Sequence, residues 1–134
     1  MTTRATGSFD VQLNPLPVYA DAEGAMLGRR SIDKTFHGDL AATSRGEMLS
    51  AGTPVQGSAG YVAIERVSGT LQGRRGSFVL QHSGTMDRGA ARLAVTVVPD
   101  SGTEELVGLT GTMRIDITDG AHTYVFDYTL GGSP

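Results

Sequence analysis

A ten-residue pattern punctuated by two glycines occurs twice in this chain, and both times it runs into an alternating apolar segment. The first copy is Leu71-Gln72-Gly73-Arg74-Arg75-Gly76-Ser77-Phe78-Val79-Leu80, the second Leu106-Val107-Gly108-Leu109-Thr110-Gly111-Thr112-Met113-Arg114-Ile115. Leucine, both glycines, a hydroxyl residue, a large apolar residue and an aliphatic one recur at the same offsets. Two short copies are too few for a stacked repeat, which needs three or more units. They describe a turn that feeds a strand, used twice within one β-structure. The copies diverge at their ends, where the first continues into Gln81-His82 and the second into Asp116-Ile117. A histidine thus stands where its counterpart is isoleucine. That asymmetry is the first pointer to a site.

The rest of the chain reads in the same period. Residues 5–13 place Gly7, Phe9, Val11 and Leu13 on one side and Thr6, Ser8, Asp10 and Gln12 on the other, the mark of a half-buried strand. Asn14-Pro15-Leu16-Pro17 is expected to end it, because proline cannot continue a ladder and restricts the residue before it. Residues 14–26 then form the longest irregular segment, expected as a loop at one mouth that covers a site. A strand from Arg30 to Phe36 sets Ile32, Lys34 and Phe36 on one face, followed by a turn at His37-Gly38-Asp39. Further strands are expected over 40–50 (weaker, interrupted by Gly46), 58–70, 76–86, 90–98, 111–118 and 121–130, with Asp119-Gly120 as a hairpin turn. The last places His122, Tyr124, Phe126, Tyr128 and Leu130 on one side.

No window of a dozen residues carries uninterrupted helical spacing, and 19 glycines against five prolines suit frequent tight turns. The 134 residues are expected to form one all-β domain. Its expected architecture is a single antiparallel up-and-down β-barrel of about eight strands, a form that leaves no open edge and can hold one small ligand.

Several function classes fall away. A net charge of -3 with dispersed arginines gives no basic stripe, so nucleic acid is not an expected partner. No apolar run approaches the ~20 residues of a membrane-spanning helix, and no membrane partner is expected. The first residues lack the apolar core of a signal peptide, which makes a cytoplasmic location the expectation. Without cysteine there is no disulfide framework, thiolate chemistry or Cys-based zinc site. The three histidines are not spaced as a metal triad. Gly69, Gly73 and Gly76 do not match a phosphate loop and precede a strand rather than a helix. Neither a metal nor a cofactor is expected.

Chemistry inside a barrel must come from inward side chains, so the informative residues are ionisable ones that break an apolar stripe. Lys34 lies between Ile32 and Phe36, His82 lies with Phe78, Leu80 and Met86, and Glu65 shares a parity with Tyr61, Ala63 and Val67. A four-residue connection near Leu71–Arg75 would set Glu65 opposite His82, whereas a two-residue one would set Tyr61 there. Directly opposed residues have Cβ atoms about 4.5–5.5 Å apart, and either register gathers Tyr61, Glu65 and His82 on one surface. Burial raises a carboxyl pKa and lowers that of lysine or histidine, so these groups are expected to exchange protons near neutral pH. Glu65, His82 and Tyr61 are therefore the candidate catalytic residues. Lys34, Phe36, Phe78, Leu80, Tyr124, Phe126 and Tyr128 are the candidate lining of an apolar cavity. The structural alternative is a satisfied internal ion pair of Lys34 with Glu65 and a core histidine bonded to tyrosine. His37, His122, Arg29, Arg30, Arg74 and Arg75 read as solvated turn or rim residues.

The segments Ser31–Leu40, Tyr61–Glu65, Gly69–Met86 and Gly108–Ile115 resemble a family of small bacterial proteins of unknown function, over nearly the whole chain. The family's fold is similar to that of allene oxide cyclase, a calycin-like eight-stranded barrel with a hydrophobic cavity. Residues Ser68–Gln81 resemble the glycine-rich hairpin of the plant cyclases. The resemblance implies a barrel of that kind, and its fold relatives include cyclases of natural-product pathways. No position here matches the plant enzyme's catalytic carboxylate and asparagine, and cysteine is absent, so no catalytic residue is carried over. Three functions are weighed. The first is a cofactor-free isomerase or cyclase acting on an apolar small molecule. The second is a lipocalin-like carrier without chemistry. The third is a filled barrel acting through its surface as a homodimer or other homo-oligomer.

Overall fold

The computed structural model describes residues 2–19 and 26–131. Eight strands follow one another in chain order: β1 (Thr3–Pro15), β2 (Leu27–Gly38), β3 (Leu40–Gly52), β4 (Ala59–Leu71), β5 (Arg74–Asp87), β6 (Ala90–Val97), β7 (Leu109–Thr118) and β8 (Ala121–Leu130). Each pairs antiparallel with the next, and β8 pairs back onto β1, so the sheet closes as the alternation predicts. Glu104–Leu106 adds a single 3-10 turn between β6 and β7.

The turn chemistry explains the tight connections. Gln72-Gly73, Arg88-Gly89 and Asp119-Gly120 all have positive φ at both residues, 46° and 87°, 49° and 93°, and 52° and 80°. That is the backbone of a type I′ hairpin, whose twist matches the twist of the strands it joins. Gly108, the counterpart of Gly73 in the repeated pattern, has φ of 86°. The left-handed glycine recurs, but the turn does not: Gln72 has φ of 46° whereas its counterpart Val107 has φ of -58°.

Two expectations are corrected. β1 continues through Asn14 to Pro15 instead of stopping at Leu13. The Leu16 N–H donates to the Arg29 carbonyl at 2.8 Å, which leaves Pro15 at a non-bonded position of the ladder with no donor to miss. The expected loop over 14–26 is therefore shorter; Leu16–Tyr19 and Met26 belong to it, and 20–25 lie outside the described residues. The β4–β5 register also differs from both expected forms. With a two-residue turn at Gln72-Gly73, Ala63 faces His82, Glu65 faces Leu80 and Tyr61 faces Gly84. Parity survives the shift, so Tyr61 and Glu65 flank His82 diagonally on the same inner face.

The lower end of the barrel, where β2–β3, β4–β5 and β6–β7 connect, is filled. Leu40, Leu71 and Leu109 sit there at 1% exposure or less, and Leu106 is carried in by the 3-10 turn. Phe78 and Phe126 stack with ring centroids 5.8 Å apart, and Phe126 stacks on Tyr128 at 5.3 Å. The segment carrying Leu106 is tied to β5, where the Ser77 amide donates to Thr103 Oγ1 and the Val79 amide to Ser101 Oγ, both at 3.0 Å.

The upper end is different. Leu13, Leu93 and Ile117 occupy positions of inward parity yet are 38%, 45% and 62% exposed. The wall is also incomplete there. β6 and β7 meet only at Val95↔Met113 and Thr96↔Thr112, below the free stretches Ala90–Ala94 and Arg114–Thr118.

Candidate functional site

Four consecutive strands send a polar side chain to the middle of the barrel. Lys34 on β2 stands beside Ser44 on β3, Glu65 is supplied by β4 and His82 by β5. Glu65 is their centre. Its Oε2 accepts from Lys34 Nζ at 2.8 Å and from His82 Nε2 at 2.5 Å, and its Oε1 accepts from Ser44 Oγ at 2.6 Å. The Tyr61 hydroxyl lies 3.2 Å from the other ring nitrogen, His82 Nδ1. Lys34 Nζ also sits 4.7 Å from the Phe9 ring centroid and 5.7 Å from that of Phe36, within cation–π range. Among the described residues no buried side-chain polar atom lacks a partner.

The charge state follows from these contacts. Burial pushes the Glu65 carboxyl up, but the His82 hydrogen bond, the Lys34 charge and the bonds from Lys34 and Ser44 outweigh it and hold the pKa at about 2. This overturns the expectation of a raised carboxyl pKa. Desolvation does act on Glu65, and three donors in contact overcome it. An ionised carboxylate only accepts, so the histidine nitrogen facing it carries the proton. In the neutral ring, Nδ1 is then the acceptor for the Tyr61 O–H. The Tyr61 pKa is raised by burial and by the Glu65 charge, so the phenol keeps its proton.

Tyr61, His82 and Glu65 thus form a series in which a protonated hydroxyl leans on a histidine that a carboxylate orients. Glu65 and His82 are buried and inside the series; Tyr61 is half-buried and forms its outer end. Its placement depends on Gly84, its cross-strand partner. A Cβ at position 84 would lie 2.5 Å from the Tyr61 ring and 3.3 Å from Leu93 Cδ1. Only glycine lets that ring lie flat on the inner wall.

The expected cavity lining divides. Lys34 belongs to the polar cluster. Phe36, Phe78, Leu80, Tyr124, Phe126 and Tyr128 are buried in the filled half, each 3% exposed or less. Two of them also serve the fold: the Tyr124 hydroxyl accepts from the Leu40 amide at 2.9 Å and donates to the His37 carbonyl at 2.9 Å, and the Tyr128 hydroxyl donates to Gln72 Oε1. The side chains bordering the open half are Val11, Leu13, Leu93, Ile115 and Ile117, with Tyr61. The alternation of residues 5–13 and 111–118 placed four of these on an inner face; nothing in the sequence marked which end of the barrel was open.

His37 is exposed and pairs with Asp10 at 2.9 Å, as a solvated turn residue would. His122 departs from that expectation. It is the second residue of β8, half-buried, with its ring 5.1 Å from that of Phe9. Among the described residues no group of three His, Asp or Glu side chains converges as metal ligands do. The outer wall carries a shallow apolar groove of about 410 Å³ bordered by Leu27, Leu49, Val62 and Thr85.

These features define a small closed antiparallel barrel, packed at one end, with an internal acid–base cluster below an open mouth. The chain belongs to the family described as a protein of unknown function (DUF3224), which matches residues 5–128. A crystal structure of a family member of unknown function from Shewanella oneidensis MR-1 is 55% identical, covers 99% of this chain and 100% of that one, and superposes with a TM-score of 0.95. No curated protein matches the chain. Neither description names a cyclase.

Proposed function

We propose that the open half of the barrel binds an apolar small molecule bearing one hydrogen-bond acceptor, and that the Tyr61 hydroxyl is the group that meets it. The observation that carries this reading is the Tyr61–His82–Glu65 series lying below inward-facing aliphatic side chains that stay partly exposed at the upper end. Binding sites of this kind are apolar with a few placed polar groups. Tyr61 keeps its proton, and turning its single O–H from His82 Nδ1 to a carbonyl or epoxide oxygen is the step that an isomerisation or cyclisation without metal or nucleotide needs. Glu65, fully enclosed, acts here as a positioning residue that orients His82, and Lys34 balances its charge.

A carrier without chemistry is the second reading. It is favoured by the enclosure of Glu65, both of whose oxygens are engaged by protein donors.

Titration with the apolar fluorophore 1-anilinonaphthalene-8-sulfonate tests the shared part. The parent should enhance its emission, and Ile115→Asp should abolish that enhancement with the fold intact by circular dichroism. No enhancement by the folded parent would end both readings in favour of a filled barrel. Native mass spectrometry of the purified protein then supplies the molecule to assay. Tyr61→Phe should keep binding within about threefold but lower turnover by ~10²–10⁴-fold, the usual worth of general acid–base catalysis. Equal turnover leaves the carrier.

A further inference from the structure

We propose that the β6–β7 seam is a gate into the upper end of the barrel, able to close along a register already present in its two strands. The gate's purpose rests on the small-molecule reading above; its motion does not.

Neither strand is short. β6 pairs with β5 from Ala90 through Val97, and β7 pairs with β8 from Leu109 through Thr118. Yet they join each other over two residue pairs alone. Above Val95 and Met113, two edges face one another with no ladder between them. A barrel that leaves such edges free gives up the main advantage of closure.

Continuing the register upward opposes Ala94 with Arg114, Leu93 with Ile115, Arg92 with Asp116, and Ala91 with Ile117. The side chains suit one another at every step. Leu93 and Ile115 face inward and are apolar. Arg92 and Asp116 face outward with opposite charges. Alanine stands opposite the long Arg114 and the branched Ile117. Neither edge carries proline or lysine, and the one like-charged pair, Arg92 and Arg114, would be diagonal neighbours with Asp116 directly opposite Arg92. In the open form the complementarity is unused. Leu93 and Ile117 are 45% and 62% exposed, and Asp116 accepts from Thr118 Oγ1 at 2.8 Å. Among the described residues Arg92 has no ion-pair partner.

The seam leads to the site. Gly84 is paired with Tyr61 on one side and Leu93 on the other, and the Tyr61 ring and Leu93 side chain close over it. A molecule passing between β6 and β7 meets Leu93 first and then the Tyr61 ring.

The chain has no cysteine, so Ala94→Cys with Arg114→Cys creates a single thiol pair at directly opposed positions. Oxidation should join the strands. It should slow uptake of 1-anilinonaphthalene-8-sulfonate at least tenfold in stopped flow, and dithiothreitol should restore the parental rate. It should also slow amide hydrogen exchange at Leu93 and Ile115 at least tenfold. As a second probe, Arg92→Asp should speed uptake about two- to fivefold, as expected for loss of one cross-strand pair, and Arg92→Asp with Asp116→Arg should reverse the gain. Failure of the thiols to join, or equal exchange in the oxidised and reduced forms, overturns the gate. Exchange that slows while uptake does not shows a closing seam that is not the entrance, which also overturns it. A parent that takes up no fluorophore removes the binding reading, and the exchange measurement alone then decides the motion.

Discussion

A carboxylate at 0% exposure keeps its charge in this barrel because three donors converge on it. Glu65→Gln should therefore be costly: it strands Lys34 in the interior, and breaking a buried pair from one side costs about 3–5 kcal/mol. Urea unfolding at pH 7 measures that loss, and Lys34→Met with Glu65→Leu should recover most of it. The pH dependence has a definite sign. The folded pKa of about 2 lies below the ordinary value of 4.5, so the stabilisation is complete above pH 4.5 and disappears as pH falls through about 2. A shift of that size corresponds to a stabilisation on the order of 3 kcal/mol. The stability gap between parent and Glu65→Gln should narrow across that window; a constant gap would show that Glu65 ionisation does not support the fold. Lys34, Tyr61, Glu65 and His82 could be read as inward because each interrupts or shares an apolar stripe. The protonation state could not. It depends on which donors reach the carboxylate, chiefly His82 and Lys34 and to a lesser extent Ser44, a small polar residue that nothing along the chain singled out.

At the scale of the elements, turn chemistry decided what alternation left open. Two turn lengths were compatible with the residues around Leu71–Arg75, and the left-handed backbone at Gln72 and Gly73 selected the shorter. Glutamine is an uncommon residue for that conformation, and the following arginine pair looks like loop, so the register was not legible. Within β5 the demand on Gly84 can be tested directly. Gly84→Ala places a methyl group 2.5 Å from the Tyr61 ring carbon, a distance that forces the ring away from His82. The His82 ring resonances in NMR should then move as its Nδ1 loses the phenol, whereas the same change at Gly60, whose Cβ would have 3.6 Å of clearance, should leave them in place. Unmoved His82 signals in Gly84→Ala would contradict the described packing of Tyr61.

For the whole molecule, closure at the lower end rests heavily on one side chain from outside the strands. Leu106 is 1% exposed and belongs to the core although it comes from a connection. Leu106→Ala should cost about 2–5 kcal/mol, the usual range for a buried leucine, with a matching fall in Tm. The fluorophore affinity of the upper half should be unaffected. The eight-stranded closed form was legible from period and turns. The division into a filled and an open half was not, because it depends on where the Leu106 segment folds back. The polar cluster has a further mechanical meaning. Lys34, Ser44, Glu65 and His82 lash four neighbouring strands together at one level, while the opposite arc of wall is held by two residue pairs between β6 and β7. The vessel is stiff on one flank and compliant on the other. Under the proposed binding of a small molecule, tolerance for guests of different girth is set by how far a single hairpin, β7–β8, can swing.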